Sequence, residues 1–346
     1  MAGVEVMPPA AGQTSAGPAA TTGWSRALWL VGWVLLGTLV VHVGALLVGG
    51  GPVTGPVSLR KPAAFAETGW LLAWSVALIL PTLRARPWQR AAIAGTAALF
   101  AVGETAIIAV QAWRGVPSHY NFTTPFDAAL MRGGAAGTAG LLVLGLLVLL
   151  ATPFRSDIPA PVRLGVRAGV AVLLAGCAIG LVMVFNNSGV YQGSVGAGFT
   201  ERTSGYLGPV AATVGPEYLL LRPATAGGDL VLPHAIGVHG LVLLAVPAVL
   251  LVRTALTARQ QVAVVATASA AVGIAMAVLI GHALRQLPLD ALPAPALALL
   301  GGCAVALLAA WALVVAALLR GPRSHFARRP PTSRRGQAPR SEGAPH

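Results

Sequence analysis

The chain has 346 residues, 56% of them hydrophobic and only 10% charged, with a formal charge of +13. Soluble domains devote about 25% of their residues to charge, so this composition excludes a soluble surface and points to lipid as the solvent. The positive charge is not a nucleic-acid footprint. Seven of the 23 basic residues lie in the last 27 positions and the others mostly flank apolar runs, a pattern that orients helices and draws the basic C-terminal tail to anionic lipid headgroups.

Residues 1–22 are rich in Ala, Gly, Pro and Thr, lack periodicity and read as a disordered tail. They hold no basic n-region, and the first apolar run is longer than a signal-peptide core, so it is expected to stay as a span. A spanning helix needs about 20 apolar residues. Eight segments meet that demand: 26–50, 63–83, 89–113, 129–153, 163–186, 231–253, 261–283 and 292–320. The expected fold is therefore all-α, a polytopic transmembrane helix bundle of about eight spans over residues 23–320, followed by a disordered basic tail over 321–346. Trp24, Trp29, Trp70, Trp88 and Trp113 fall near segment ends, where an aromatic belt places them. Cys177 and Cys303 sit inside apolar runs and read as small core residues, since two thiols alone make no structural zinc site.

Sixteen Lys and Arg fall on the side of the termini and seven on the other, so the positive-inside bias puts both termini in the cytoplasm. The prevalence of Arg, with Lys61 as the single lysine, suggests a bacterial genome and hence the inner membrane. The outer connections carry the unusual sequence. One is "RGVPSHYNFTTPFD", Arg114 to Asp127, whose prolines stiffen it and whose Asn121, Thr123 and Thr124 can bond their own backbone. It reads as an ordered cap, with Arg114 and Asp127 within one side chain's reach and His119 facing inward. Another outer loop runs from about 187 to 231, is Gly-rich and is expected to hold a short interfacial helix near "PEYLLL".

Ionisable groups inside spans are costly and mark function by default. At the rise of a regular helix, His42 and His239 lie about 12 Å below the outer helix ends and Glu104 about 14 Å. These three form one expected layer, the tentative metal ligands among them. Glu67, His234 and His282 form a shallower layer, with His119 and Asp127 above. His234 and His239 are five apart and cannot chelate one ion from a regular helix. Spans 1, 2, 3, 6 and 7 are expected to enclose this outward-facing site, leaving 4, 5 and 8 peripheral. Three readings of the His42, Glu104, His239 layer stand side by side: interhelical hydrogen bonding, a bound metal ion or haem, and a proton or solute pathway. No motif assigns an enzymatic reaction. Lys61, at the mouth of span two, is either an interfacial anchor or a compact ammonium required at the site.

Three stretches carry a resemblance: "LRKPAAFAETGWLLAW", "ETAIIAVQAWRGVPSHYNFTTPFDAALM" and "GGDLVLPHAIGVHGLVLL". Over residues 50–250 or so the chain resembles a family of uncharacterised multi-spanning bacterial membrane proteins, with Lys-Pro before span two, Gln-Ala-x-Arg-Gly followed by Ser-His-x-Asn and Thr-Pro-Phe-Asp, and a Gly-Asp…His…Gly-x-His segment. The resemblance implies Lys61, Glu104, Gln111, Arg114, Ser118, His119, Asn121, Asp127, Asp229, His234 and His239 as site residues and supplies no reaction. Val242 stands where the family pattern has Gln. The function these readings frame is an integral membrane protein with an outward-facing His/Glu site of redox or metal type, with a transporter or proton pathway and a structural subunit as alternatives.

Overall fold

The computed structural model describes residues 23–51, 57–119, 121–152, 158–186, 205–208 and 227–321. The two expected tails, apart from residue 321, and the expected helix near "PEYLLL" lie outside these residues. The described residues form an all-α bundle. In chain order the helices are α1 (Gly23–Gly49), α2 (Arg60–Ile79), α3 (Pro87–Trp113), α4 (Pro125–Ala129), α5 (Ala136–Ala151), α6 (Ala160–Asn186), α7 (Val231–Val238), α8 (Val246–Leu251), α9 (Ala258–Leu284) and α10 (Ala294–Leu319). A π-helical turn, Leu130–Ala135, joins α4 to α5, and a second, Leu241–Ala245, leads into α8. The sole strand pair described, β1 (Tyr206–Leu207) with β2 (Gly228–Asp229), is antiparallel and two residues long.

Seven helical stretches are long and apolar enough to cross a membrane, and α4 continues through its π turn into α5 as one of them. The segment expected as span six is different. Val231–Val238 and Leu241–Leu251 are bent by 48° at the break between them, so the total is eight only if that pair counts as one span.

Local chemistry sets the helix ends. Pro87 opens α3 and Pro125 opens α4, where a missing N–H costs nothing. Arg90 folds back on the α2–α3 turn and donates to the carbonyls of Leu80 (3.0 Å), Leu83 (2.6 Å) and Ala85 (3.1 Å), satisfying acceptors that a helix end leaves without partners. Thr257 and Gln260 form a reciprocal cap on α9.

Helices α1, α2, α3 and α5 pack in sequence, while α6 packs on α7, α8 and α9, and α10 lies against α9. Between α1 and α2 the ring centroid of Trp74 is 4.9, 5.0 and 5.2 Å from those of Trp29, Trp33 and Trp70. Gly32 makes room for this cluster, since a Cβ there would meet the Trp74 indole at 2.0 Å. Helix α6 is not peripheral, contrary to expectation. Its glycine face carries the bent segment: a Cβ on Gly237 would lie 2.4 Å from Gly176 Cα, and one on Gly240 would lie 2.5 Å from the Gly169 carbonyl. Backbones approach this closely only where side chains are absent.

Candidate functional site

The connection after α3 is held by a hydrogen-bond network around the buried Asp127. Arg114 Nη1 lies 2.6 Å from Asp127 Oδ1, and Gln111 Nε2 donates to the same oxygen at 2.8 Å. Arg114 also donates to the Gln111 amide oxygen. The second carboxylate oxygen, Oδ2, accepts from the Thr124 hydroxyl at 2.6 Å. Thr124 in turn caps α4 by accepting from the Asp127 N–H at 3.1 Å. Asn121 accepts from the Thr123 N–H and hydroxyl and donates to the Pro117 carbonyl. Gln111, Ser118, Asn121 and Asp127 are all buried. This arrangement satisfies a buried carboxylate from several donors at once, which is what keeps such a charge tolerable away from water.

The cap brings His119 over the bundle. Its ring sits 6.0 Å from the Phe65 ring of α2, and Ser118 Oγ is 3.1 Å from its Nδ1. Burial pushes its pKa well below the usual histidine value, and the Lys61 ammonium and His234 push in the same direction. His119 therefore lies against α2, the helix whose first turn carries Lys61.

Below it, Glu67 of α2 meets His239, the residue at which the bent segment breaks. His239 Nε2 is 3.3 Å from Glu67 Oε2, and its Nδ1 is 2.6 Å from the Ala235 carbonyl. A carbonyl can only accept, so Nδ1 carries hydrogen. Nε2 then either carries a second hydrogen facing a carboxylate, or is a lone pair facing a protonated carboxyl. Either way one proton resides between the two residues. Both side chains keep access, with relative exposures of 24% and 27%. Val242, at the position where the resemblance expects Gln, lines the same narrow crevice as His239, Leu71 and Ser75.

The expected layer of His42, Glu104 and His239 is not one ligand set. Among the described residues no group of three or more His, Cys, Asp or Glu is placed to hold a metal ion. His42 has its Nδ1 2.8 Å from the Thr38 carbonyl and accepts from Trp113 Nε1 at 3.1 Å through Nε2, so both ring nitrogens are engaged. Glu104 meets Thr138 of α5 instead. His239 pairs with Glu67, which the depth count had placed in a shallower layer. Helix α2 begins at Arg60 rather than at residue 63, which sets Glu67 about 10 Å along it, close to the depth of His239 along α7.

The remaining predicted residues separate. His234 Nδ1 donates to the Gly176 carbonyl of α6 at 2.8 Å. Asp229 accepts from the Val231 and Leu232 N–H groups at 2.7 and 3.0 Å and so caps α7. His282 Nε2 bonds the Pro288 carbonyl at 2.8 Å in the turn before α10, outside the cluster. Sequence reasoning missed Thr138 and Trp113. Thr138 was legible as one of only two hydroxyls, with Thr152, in the fourth apolar run, whereas nothing in the sequence links Trp113 to His42.

No family model, no curated protein and no solved structure matches this chain.

Proposed function

We propose that the chain is a multi-pass inner-membrane protein, both termini cytoplasmic, that conducts protons through an outward-facing site centred on Glu67 and His239. One observation carries the reading. His239 Nδ1 is committed to the Ala235 carbonyl, so its contact with Glu67 requires a shared proton. That proton is held between two helices, in side chains that keep partial access. Such a pair passes a proton by moving it from Oε2 to Nε2 without rearranging either helix.

Three features support it. The span is broken at His239, and non-helical backbone at membrane depth is tolerated where it lines a cavity or lies buried in protein. Lys61, His119 and His234 surround the same end of the bundle, the end that the distribution of basic residues assigns to the outer face. Each of the three stretches quoted for the resemblance contributes a residue to this part of the bundle, namely Glu67, His119 and His239. Metal or haem ligation by His42, Glu104 and His239 has no comparable support, because the three do not share a site. A structural role finds its observation in His42 and His282, whose bonds join or close helices.

The test is proton flux in vesicles reconstituted with the purified protein under an imposed membrane potential, read by an internal pH dye. Wild type is expected to carry flux, and Glu67→Gln to lose it while staying folded, since a Gln amide can still donate to neutral His239. Flux no greater than in protein-free vesicles overturns the proposal.

A further inference from the structure

A second acidic group lies where α3 meets α5, and its chemistry follows from counting hydrogens. Glu104 is buried, with 4% of its surface exposed. Its Oε1 is 2.9 Å from the Thr138 hydroxyl oxygen. That hydroxyl is also 2.9 Å from the Gly134 carbonyl and 3.2 Å from the Ala135 carbonyl. Gly134 and Ala135 belong to the π turn, and neither carbonyl can donate. A hydroxyl has one hydrogen to give, and a threonine within a helix commonly gives it to the carbonyl one turn back. The hydrogen between Glu104 and Thr138 then comes from the carboxyl.

The other oxygen, Oε2, is fully buried and has no hydrogen-bond partner. As the carbonyl oxygen of a neutral acid, an unpaired Oε2 is tolerable. As half of a carboxylate it is an uncompensated charge, which proteins avoid by neutralising the group. The close approach is built in. A Cβ on Gly103 would lie 3.0 Å from Thr138 Cγ2, and one on Gly134 would lie 2.5 Å from Ile107 Cδ1, so two glycines let the π turn seat Thr138 on the carboxyl.

The titratable groups on the elements packed around α3 are otherwise occupied. His42 of α1 bonds Thr38 and Trp113, and Glu67 of α2 faces His239. Asp127 of α4 is tied to Arg114, and Arg132 of the π turn stacks on Phe122. Arg60 and Lys61, both in the first turn of α2, are the other charged groups of that helix. We propose that Glu104 is a second proton-binding site, separate from the Glu67–His239 pair, occupied at neutral pH as a carboxylic acid donating to Thr138. Releasing its proton leaves a buried carboxylate whose Oε2 has no donor.

Infrared spectroscopy of the purified protein in lipid vesicles tests this without any transport assay. The wild-type minus Glu104→Gln difference spectrum at neutral pH is expected to contain the carbonyl band of a protonated carboxylic acid, and Glu67→Gln should leave that band in place. Thr138→Val should keep the band but move it to higher frequency, as the hydrogen bond is lost. A difference spectrum with no carboxylic-acid band, a band removed by Glu67→Gln, or a band unmoved by Thr138→Val overturns the proposal. The last also serves if Glu104→Gln fails to fold.

Discussion

Arg114 and Asp127 stand 2.6 Å apart across the connection between α3 and α4, and the geometry makes Asp127 the hub. It accepts from Gln111, Arg114 and Thr124, with the Thr123 hydroxyl at 3.3 Å, so its loss removes a shared acceptor from all of them. Asp127→Ala is expected to cost about 1–3 kcal/mol, the usual range for buried polar groups left unsatisfied. Thermal denaturation in detergent measures the loss, and limited proteolysis should now cut between residues 114 and 124. Asp127→Asn, which keeps an acceptor, should lose less. A stable, uncleaved Asp127→Ala protein would remove the loop's role as a fixed cap.

The glycine seam between α6 and the bent segment gives a second expectation. A methyl group on Gly237 meets Gly176 backbone rather than a movable side chain. Gly237→Ala should therefore destabilise by about 1–3 kcal/mol through overpacking. Gly273→Ala, where nothing lies within 4 Å, should show no loss in the same denaturation assay. Equal behaviour of the two variants would mean that the seam is not closely packed.

His119 links the cap to pH. Burial first, then Lys61 and His234, hold its pKa well below the ordinary value of 6.5. Above 6.5 it is neutral both folded and unfolded, so it makes no difference to stability there. Below 6.5 the unfolded chain takes up the proton and the folded chain does not, so stability falls with pH until the folded pKa is reached. The denaturation midpoint of wild type should fall on acidification from about neutral pH, and His119→Gln should flatten that dependence. An identical pH profile in both proteins would show that His119 is not buried against the bundle.

Trp113 donates to His42 from 71 positions away. In Trp113→Phe the His42 Nε2 loses its donor, which should cost about 0.5–1.5 kcal/mol. The freed nitrogen should also become reactive toward diethyl pyrocarbonate, with mass spectrometry locating the adduct. Equal labelling of His42 in wild type and variant would mean that the bond is not maintained.

The sequence by itself determined the class of fold, because apolar run length is a local property that a lipid solvent reads directly. It also marked the cap: Arg114 and Asp127 flank a short connection, and chain geometry alone brings them near each other. His119 facing α2 was legible for the same reason. What failed was depth counting. Glu67 falls in a shallower layer when span two is started at residue 63, whereas α2 begins at Arg60 and carries Glu67 down to the level of His239. Apolar run length does not fix where a helix begins, and the seating of the bent segment depends on glycine contacts with α6 that no local pattern encodes. The same limit hid Thr138 as the partner of Glu104 and Gly176 as the acceptor for His234. Which side chains share a proton is decided by how helices cross and where they break. Those are properties of packing between distant segments, and only the tertiary structure sets them.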